Sequence, residues 1–216
     1  MSDYAARRDF MVDRQIAARG IRSETLLAAL RDVPREAFVP EAMKPFAYED
    51  RPLPIEAGQT ISQPYIVALM IDAAGIAPDS RVLEIGAGSG YAAAVLGRIA
   101  AAVIAIERHG ELADLAAARM ARLGYANVRI VTGDGSAGWP DGAPYDAILA
   151  AASGSHVPEA LIAQLVPGGR LVMPIGDPGG MQELIKVTKQ VDGILKQENL
   201  GGVRFVPLIG EEGWDG

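Results

Sequence analysis

The sequence predicts an α/β fold: a doubly wound, mostly parallel sheet with helices on both faces and an N-terminal helical segment in front of it. Three observations carry this. Between residues 81 and 174 short apolar runs alternate with helix-like stretches, the pattern of a parallel sheet built from crossover units. Those runs, such as Val103–Ile106 and Tyr145–Ala150, are nearly continuously apolar, as strands buried on both faces must be. And the first run, Arg81–Ile85, leads straight into Gly86, Gly88 and Gly90 before an alanine-rich helical stretch.

The elements follow in order. Residues 1–57 read as a helical front segment and a cover loop. Tyr4–Arg19 places Phe10, Met11 and Ile16 on a helix that Gly20 stops. Ser23 is an N-cap for a short helix with Leu26, Leu27 and Leu30 inward, ended by Val33-Pro34. Pro40, Pro45, Pro52 and Pro54 mark a long irregular stretch, of a kind more often functional than filler.

Residues 58–175 read as the cofactor-binding α/β core. Pro64 opens a helix to Ala74, with Gly75 as its stop. Strands are expected at 81–85, 103–106, 128–131, 145–150 and 169–174. Helices are expected at 91–100, 111–123 and 158–165, with Gly124 closing the second. Residues 176–216 change character. Glu183–Thr188 is β-rich, Asp192-Gly193 is a hairpin turn, and Leu195–Leu200 and Val203–Leu208 are expected as antiparallel strands. The tail Glu211–Gly216 is expected to be loose.

Composition narrows the function. The 216 residues amount to about one and a half typical domain lengths, and we read 1–216 as one domain with half its residues hydrophobic. No apolar run reaches the roughly 18 residues of a membrane span. Asp3, Arg7, Arg8, Asp9, Asp13 and Arg14 rule out a secretory signal in the first residues. Without cysteine there is no thiolate nucleophile, disulfide or cysteine metal site. The expectation is a cytoplasmic protein with no membrane partner. A net charge of −7 argues against nucleic acid as a partner. The oligomeric state is open, with a monomer plausible.

The chemistry begins at Val82–Tyr91. Glycines at every second position between a strand and a helix let the backbone take positive φ and let a ligand approach closely. Open parallel sheets bind ligands at this point, where the strand order reverses. The spacing Gly86-Ala87-Gly88-Ser89-Gly90 is one residue short of the G-x-G-x-x-G of dinucleotide sites. Glu84 inside the strand end would repel a pyrophosphate and suit a cation. Glu107 follows Gly86 by 21 residues, at the end of the second strand, where an acid pairs with ribose hydroxyls. Asp134 lies between glycines after the third strand. Three acids at three strand ends describe a ligand with a ribose, an amine-bearing base and a positive charge, and S-adenosyl-L-methionine has all three. Blander readings of Glu107 as a plain strand-end charge and of Asp134 as an Asx-turn residue stay open.

At this point the sequence resembles a known family. Glu84–Tyr91 is similar to motif I of class I S-adenosylmethionine-dependent methyltransferases. Gly58–Tyr65, Gly133–Gly135 with Gly138-Trp139, Pro167–Gly176 and Val203–Leu208 narrow the resemblance to the protein-L-isoaspartate O-methyltransferases, from about Met11 to Leu208. One stretch departs from the family pattern: Leu149–His156 lacks the expected Thr-Ala-Ala end with a following proline.

The resemblance implies a seven-stranded Rossmann-like methyltransferase sheet. It implies that S-adenosyl-L-methionine is used and S-adenosyl-L-homocysteine released, with isoaspartyl-containing peptides and proteins as substrate. By the same resemblance Ser62 is the active-site serine, with Thr60 beside it near the methionine end of the cofactor. Glu84, Gly86, Ala87, Gly88, Ser89 and Gly90 form the cofactor cradle, Glu107 holds the ribose, and Asp134 and Gly135 meet the adenine. Ile61, Val206 and Pro207 frame the peptide.

Ser62 has no base partner among the chain's two histidines, His109 and His156, so a serine nucleophile is disfavoured. A positioning hydrogen bond and helix capping before Pro64 are its two remaining roles. Both histidines read as solvated loop residues, and no metal-ligand spacing is present. Met70, Met120, Tyr65 and Phe205 read as core, and Arg204 either meets a substrate carboxylate or makes a surface ion pair. A same-fold methyltransferase acting on a small molecule or modified peptide, and a dinucleotide-binding oxidoreductase, are the alternatives.

Overall fold

The computed structural model describes residues 3–215; Met1, Ser2 and Gly216 lie outside the described residues. Helix α1 (Tyr4–Phe10) is capped by Asp3, whose carboxylate accepts from the Ala6 amide at 3.1 Å. The run then widens into a π-helical stretch, Met11–Ile16, and tightens to a 3-10 turn at Ala17–Arg19. Gly20, at φ 103°, ends it as expected. Helix α2 (Glu24–Asp32) starts at Ser23, whose side chain accepts from Leu26, a cap worth about 1 kcal/mol. It buries Leu26, Leu27 and Leu30. Short 3-10 turns fill Arg35–Phe38 and Glu41–Phe46.

The proline-rich stretch contains a feature that its sequence hides. β1 (Leu53–Pro54) pairs antiparallel with β2 (Thr60–Ile61), so the cover loop is folded back on the Ser62 segment. Helix α3 (Pro64–Ala74) has Gln63 as its N-cap and Pro64 in its first turn. Ser62 therefore lies outside the helix start, and the capping alternative for it falls.

The core continues as β3 (Arg81–Ile85), α4 (Tyr91–Gly97), β4 (Ala102–Glu107), α5 (Gly110–Arg122), β5 (Val128–Thr132), β6 (Tyr145–Ala150), α6 (Glu159–Ala163), β7 (Leu165–Ile175), β8 (Gln182–Lys189) and β9 (Leu195–Val203). The seven strands β3–β9 form one sheet in the order β5-β4-β3-β6-β7-β8-β9. The first five in that order pair parallel, while β8 and β9 add antiparallel at the edge. Strand order thus reverses at β3, between β4 and β6. In β3, Val82 joins one hydrophobic cluster with α2, α3 and α4, whereas Leu83 and Ile85 join the other, with Leu161 of α6.

Four expectations need correction. α4 stops at Gly97 rather than Ala100, because the Arg98 and Ile99 amides turn back three residues, to the Val95 and Leu96 carbonyls; a Cβ on Gly97 would come within 2.5 Å of Val128, so β5 packs directly on the helix there. α6 ends at Ala163, and Leu165 already opens β7. Val203 closes β9, and Arg204–Leu208 leaves the sheet instead of forming another strand. Pro207 lacks an amide donor and makes only an isolated bridge to Ser153. Lastly, Glu211–Trp214 is not loose. The Glu211 amide donates to Asp134 at 2.8 Å, the Glu212 amide to Ser136 Oγ at 3.0 Å, and the Trp214 indole to the Ser153 carbonyl at 2.9 Å. Among the described residues no helix is long and apolar enough to cross a membrane.

Candidate active site

A cavity of about 710 Å³ opens at the carboxyl ends of β3, β4 and β6. Its size falls in the range of about 300–1,000 Å³ usual for small-molecule sites. Thr60, Ile61, Ser62, Glu84, Gly86, Ala87, Gly88, Ser89, Glu107, Gly135, Val206 and Pro207 all line it. Segments more than a hundred residues apart in sequence therefore meet around one space.

The floor is the glycine loop. Gly86 and Ala87 both donate their amides to the Ile106 carbonyl at 2.9 Å, so the loop is stitched to the neighbouring strand end. Gly88, at φ 53°, donates its amide to Glu107 Oε2 at 2.8 Å. Glu107 Oε1 accepts from the His109 amide at 2.9 Å and meets His109 Nδ1 at the same distance. Glu107 is buried and organises the loop as well as facing the cavity. His109 lines the cavity and pairs with Glu107, which corrects its reading as a solvated loop histidine. His156 is exposed and meets only Ser155, as that reading has it.

Glu84 is the unusual acid. It is 2% exposed, and its Oε2 is buried with no hydrogen-bond partner. Burial, with the Glu107 charge adding to it, pushes its carboxyl up to about 8. A buried acceptor without a donor is costly, and it sits in the floor of an open cavity.

Gly90 and Asp134 are not part of the lining. Gly90, at φ 86°, is the αL residue before α4, and a Cβ there would lie 3.2 Å from Ala116 and Met120. Its absent side chain allows α5 to pack close. The Asp134 carboxylate accepts from the Ser136 and Glu211 amides, each at 2.8 Å. Partial burial works to raise its pKa, but the Glu211 and Ser136 bonds outweigh this and hold it below the usual value.

The wall opposite the floor is made of irregular chain. Arg204, Phe205, Val206 and Pro207 line it together with Met181. Gln182 is 1% exposed and clips this segment. Its Oε1 accepts from the Phe205 amide at 2.7 Å, and its Nε2 donates to the Phe205 carbonyl at 3.1 Å and to Ser153 Oγ at 3.0 Å. Phe205 is half-buried on the cavity, not core, whereas Met70 and Met120 are core as expected. Tyr65 is half-buried beneath the Arg19 guanidinium. Arg204 is exposed and, among the described residues, forms no ion pair. The divergent stretch places Ala151 and Ala152 on the cavity, and Ser153 in the joint with Pro207.

Sequence reasoning missed three residues that build the site: Gln182, Arg35 and Arg119. Arg119 donates to the Ser89 carbonyl at 3.1 Å and lies 3.4 Å from Glu56, tying the cover loop to the glycine loop. None lies in a recognisable motif, and each has other polar residues close by in sequence, so nothing singles it out. Among the described residues no three His, Cys, Asp or Glu side chains converge as a metal site.

A doubly wound sheet of this strand order, with an acid inside the strand end before a glycine loop, is that of a class I methyltransferase. The comparisons with known proteins are narrower. The family described as Protein-L-isoaspartate(D-aspartate) O-methyltransferase matches residues 6–213, and the chain belongs to it. It is 59% identical over 213 residues to protein-L-isoaspartate O-methyltransferase 1 of Rhodopseudomonas palustris, covering 99% of this chain and 87% of that protein. It is 52% identical over 209 residues to the Methanoculleus marisnigri protein-L-isoaspartate O-methyltransferase, covering 97% and 94%. Among solved structures, a protein-L-isoaspartate O-methyltransferase aligns at TM-score 0.83 and 31% identity, over 96% of this chain and 66% of that one. A Plasmodium falciparum chain, solved with S-adenosyl-L-homocysteine, aligns at 0.78 and 26%, over 94% and 98%.

Proposed function

We propose that this chain methylates the free carboxylate of L-isoaspartyl residues, and of D-aspartyl residues, in damaged proteins, with S-adenosyl-L-methionine as donor. The single observation that carries the cofactor is Glu84: a buried carboxyl oxygen without a partner, beside a second acid, fits a ligand that brings an ammonium and a positive charge. S-adenosyl-L-methionine, when bound, supplies a methyl group activated on a sulfonium.

The remaining work belongs to the chain's own residues. Glu84 and the Gly86–Ser89 main chain would hold the methionine end and Glu107 the ribose. Gly135 would border the adenine. Each Asp134 oxygen takes one main-chain donor and keeps acceptor capacity for an adenine amine. Gly90 would act through helix packing. Thr60 would stand with Ser62 beside the methionine end, and Ser62, Ile61, Val206 and Pro207 would receive the peptide.

A substrate carboxylate of pKa about 4 is ionised at neutral pH and attacks without a general base. Ser62 accordingly needs no histidine; its task is to orient the attacking oxygen. With cofactor and peptide in place, the wall formed by Pro52, Gln59–Gln63 and Arg204–Leu208 would exclude water, which favours a step in which opposite charges neutralise. The methyl ester then closes to a succinimide without the enzyme and reopens in part as normal aspartate.

The test is methyl transfer to an isoaspartyl peptide beside its aspartyl twin. Transfer to the first and not to the second is expected, and equal or absent transfer to both would sink the reading. A melting temperature raised by S-adenosyl-L-homocysteine and not by NAD is the matching expectation for the cofactor.

A further inference from the structure

Arg35 is fully buried, lies outside the cavity lining, and reaches three separate pieces of chain, two of which line the cavity. Its Nε donates to the Ala47 carbonyl at 2.8 Å, and its Nη2 to the Ser62 carbonyl at 2.9 Å. The guanidinium carbon stands 4.7 Å over the Tyr91 ring, and Phe38 packs edge-on against the same ring. Tyr91 is the first residue of α4, directly after the glycine loop, and both it and Ser62 line the cavity.

The Arg35 guanidinium has no ion-pair partner among the described residues, and its Nη1 is buried without a hydrogen bond. Burial brings its pKa down to about 10, so it stays charged at neutral pH. An unpaired buried charge destabilises a fold, and an apolar side chain of similar volume would fill the same space without that cost. What an apolar side chain would not do is hold two carbonyls 15 residues apart in one plane. Arginine's flat fork does this, and a lysine ammonium, a point donor on a flexible stem, does not.

We propose that Arg35 is a positioning residue for methyl transfer: its grip on the Ala47 and Ser62 carbonyls, braced over the Tyr91 ring, aims the Ser62 hydroxyl at the reacting carboxylate. The inference rests on the reading of Ser62 as an orienting group. Among the described residues no protein hydrogen bond occupies that hydroxyl, so the main chain, held at the Ser62 carbonyl, sets the point from which it reaches and the staggered positions open to it.

The test is a double-mutant cycle of Arg35→Lys and Ser62→Ala, read as kcat and KM for an isoaspartyl peptide and as Kd for S-adenosyl-L-homocysteine. R35K is expected to lower kcat about tenfold, a misplacement effect, with KM and Kd within about threefold of wild type. The double variant is expected to be no slower than S62A, because without a hydroxyl nothing is left to aim. Wild-type kcat in R35K, or losses that multiply in the double variant, overturns the inference. Wild-type kcat in S62A sinks the Ser62 reading itself, which is a separate outcome.

If S-adenosyl-L-homocysteine no longer raises the melting temperature of R35K, the tie is cut from its other end. An ester in place of the Ser62–Gln63 amide weakens the carbonyl acceptor, leaves Arg35 intact, and is expected to slow kcat about threefold. Wild-type kcat in the ester variant then overturns the inference.

Discussion

In the floor of the cavity, Glu84, the Gly86–Ser89 loop and Glu107 sit at strand ends, held by the ladder of the sheet and by main-chain bonds from Gly86 and Ala87 to Ile106. In the facing wall, Thr60–Gln63 and Arg204–Leu208 belong to no long strand or helix. Side chains hold the wall instead: the buried Arg35 grips Ser62, the buried Gln182 grips Phe205, and the half-buried Trp214 grips Ser153. The sheet thus dictates the floor, and single polar clips dictate the wall. Damage to the floor should therefore appear as lost cofactor affinity or lost fold, and damage to the wall as poor handling of the peptide.

The largest effect is expected at the joint between floor and helix packing. Gly90→Val forces a β-branched residue into positive φ and into atoms 3.2 Å away. Strain and overpacking together cost about 3 kcal/mol or more. Calorimetry should show a melting temperature lower by roughly 6–12 °C, with binding of S-adenosyl-L-homocysteine lost.

Ser62→Ala tests the wall. It should lower kcat about a hundredfold, as a lost orienting contact does, while the Kd for S-adenosyl-L-homocysteine stays within about threefold. Equal losses in kcat and binding would move Ser62 from wall to floor.

Glu84→Gln tests the charge of the floor. The native-state pKa of Glu84, about 8, lies above its ordinary value of 4.5. The folded chain then holds a proton that the unfolded chain has released, so this group makes stability fall as pH rises between those values. A cationic ligand prefers the ionised form, so the Kd for S-adenosyl-L-methionine should fall by up to about tenfold per unit from pH 6 to 8 and then level off. In E84Q both slopes should flatten, and a wild-type slope in E84Q would remove Glu84 from the account.

Gln182→Leu gives the smallest expected effect. It frees Phe205 and Ser153 from their clip at a cost of about 1–3 kcal/mol in unpaired groups. The peptide KM should rise about fivefold, in line with a loosened contact surface.

The same division explains what was legible in the sequence. The floor was readable because strand, glycine loop and strand-end acids are local patterns with fixed spacing, and all seven sheet strands could be placed to within about four residues, the one false strand being Val203–Leu208. The wall was readable only through family resemblance, which named Ser62 and the Val206-Pro207 segment but not what holds them. Arg35 and Gln182 act across 27 and 23 residues of chain, and no periodicity encodes such reach. The tail failed for the same reason. Glu211–Trp214 has the composition of a loose end, yet the Asp134 carboxylate and the Ser153 carbonyl, far away in sequence, supply its partners. The short β1–β2 ladder was hidden by Pro52 and Pro54, which read as loop although Pro54 needs no amide donor at the edge of a two-stranded ladder.

Titration of S-adenosyl-L-homocysteine into E84Q and Q182L in parallel at pH 8 tests the division most directly. The account predicts an affinity about tenfold weaker in E84Q, from the lost charge pairing, and wild-type affinity in Q182L. Equal weakening in both, or weakening in Q182L alone, would contradict it.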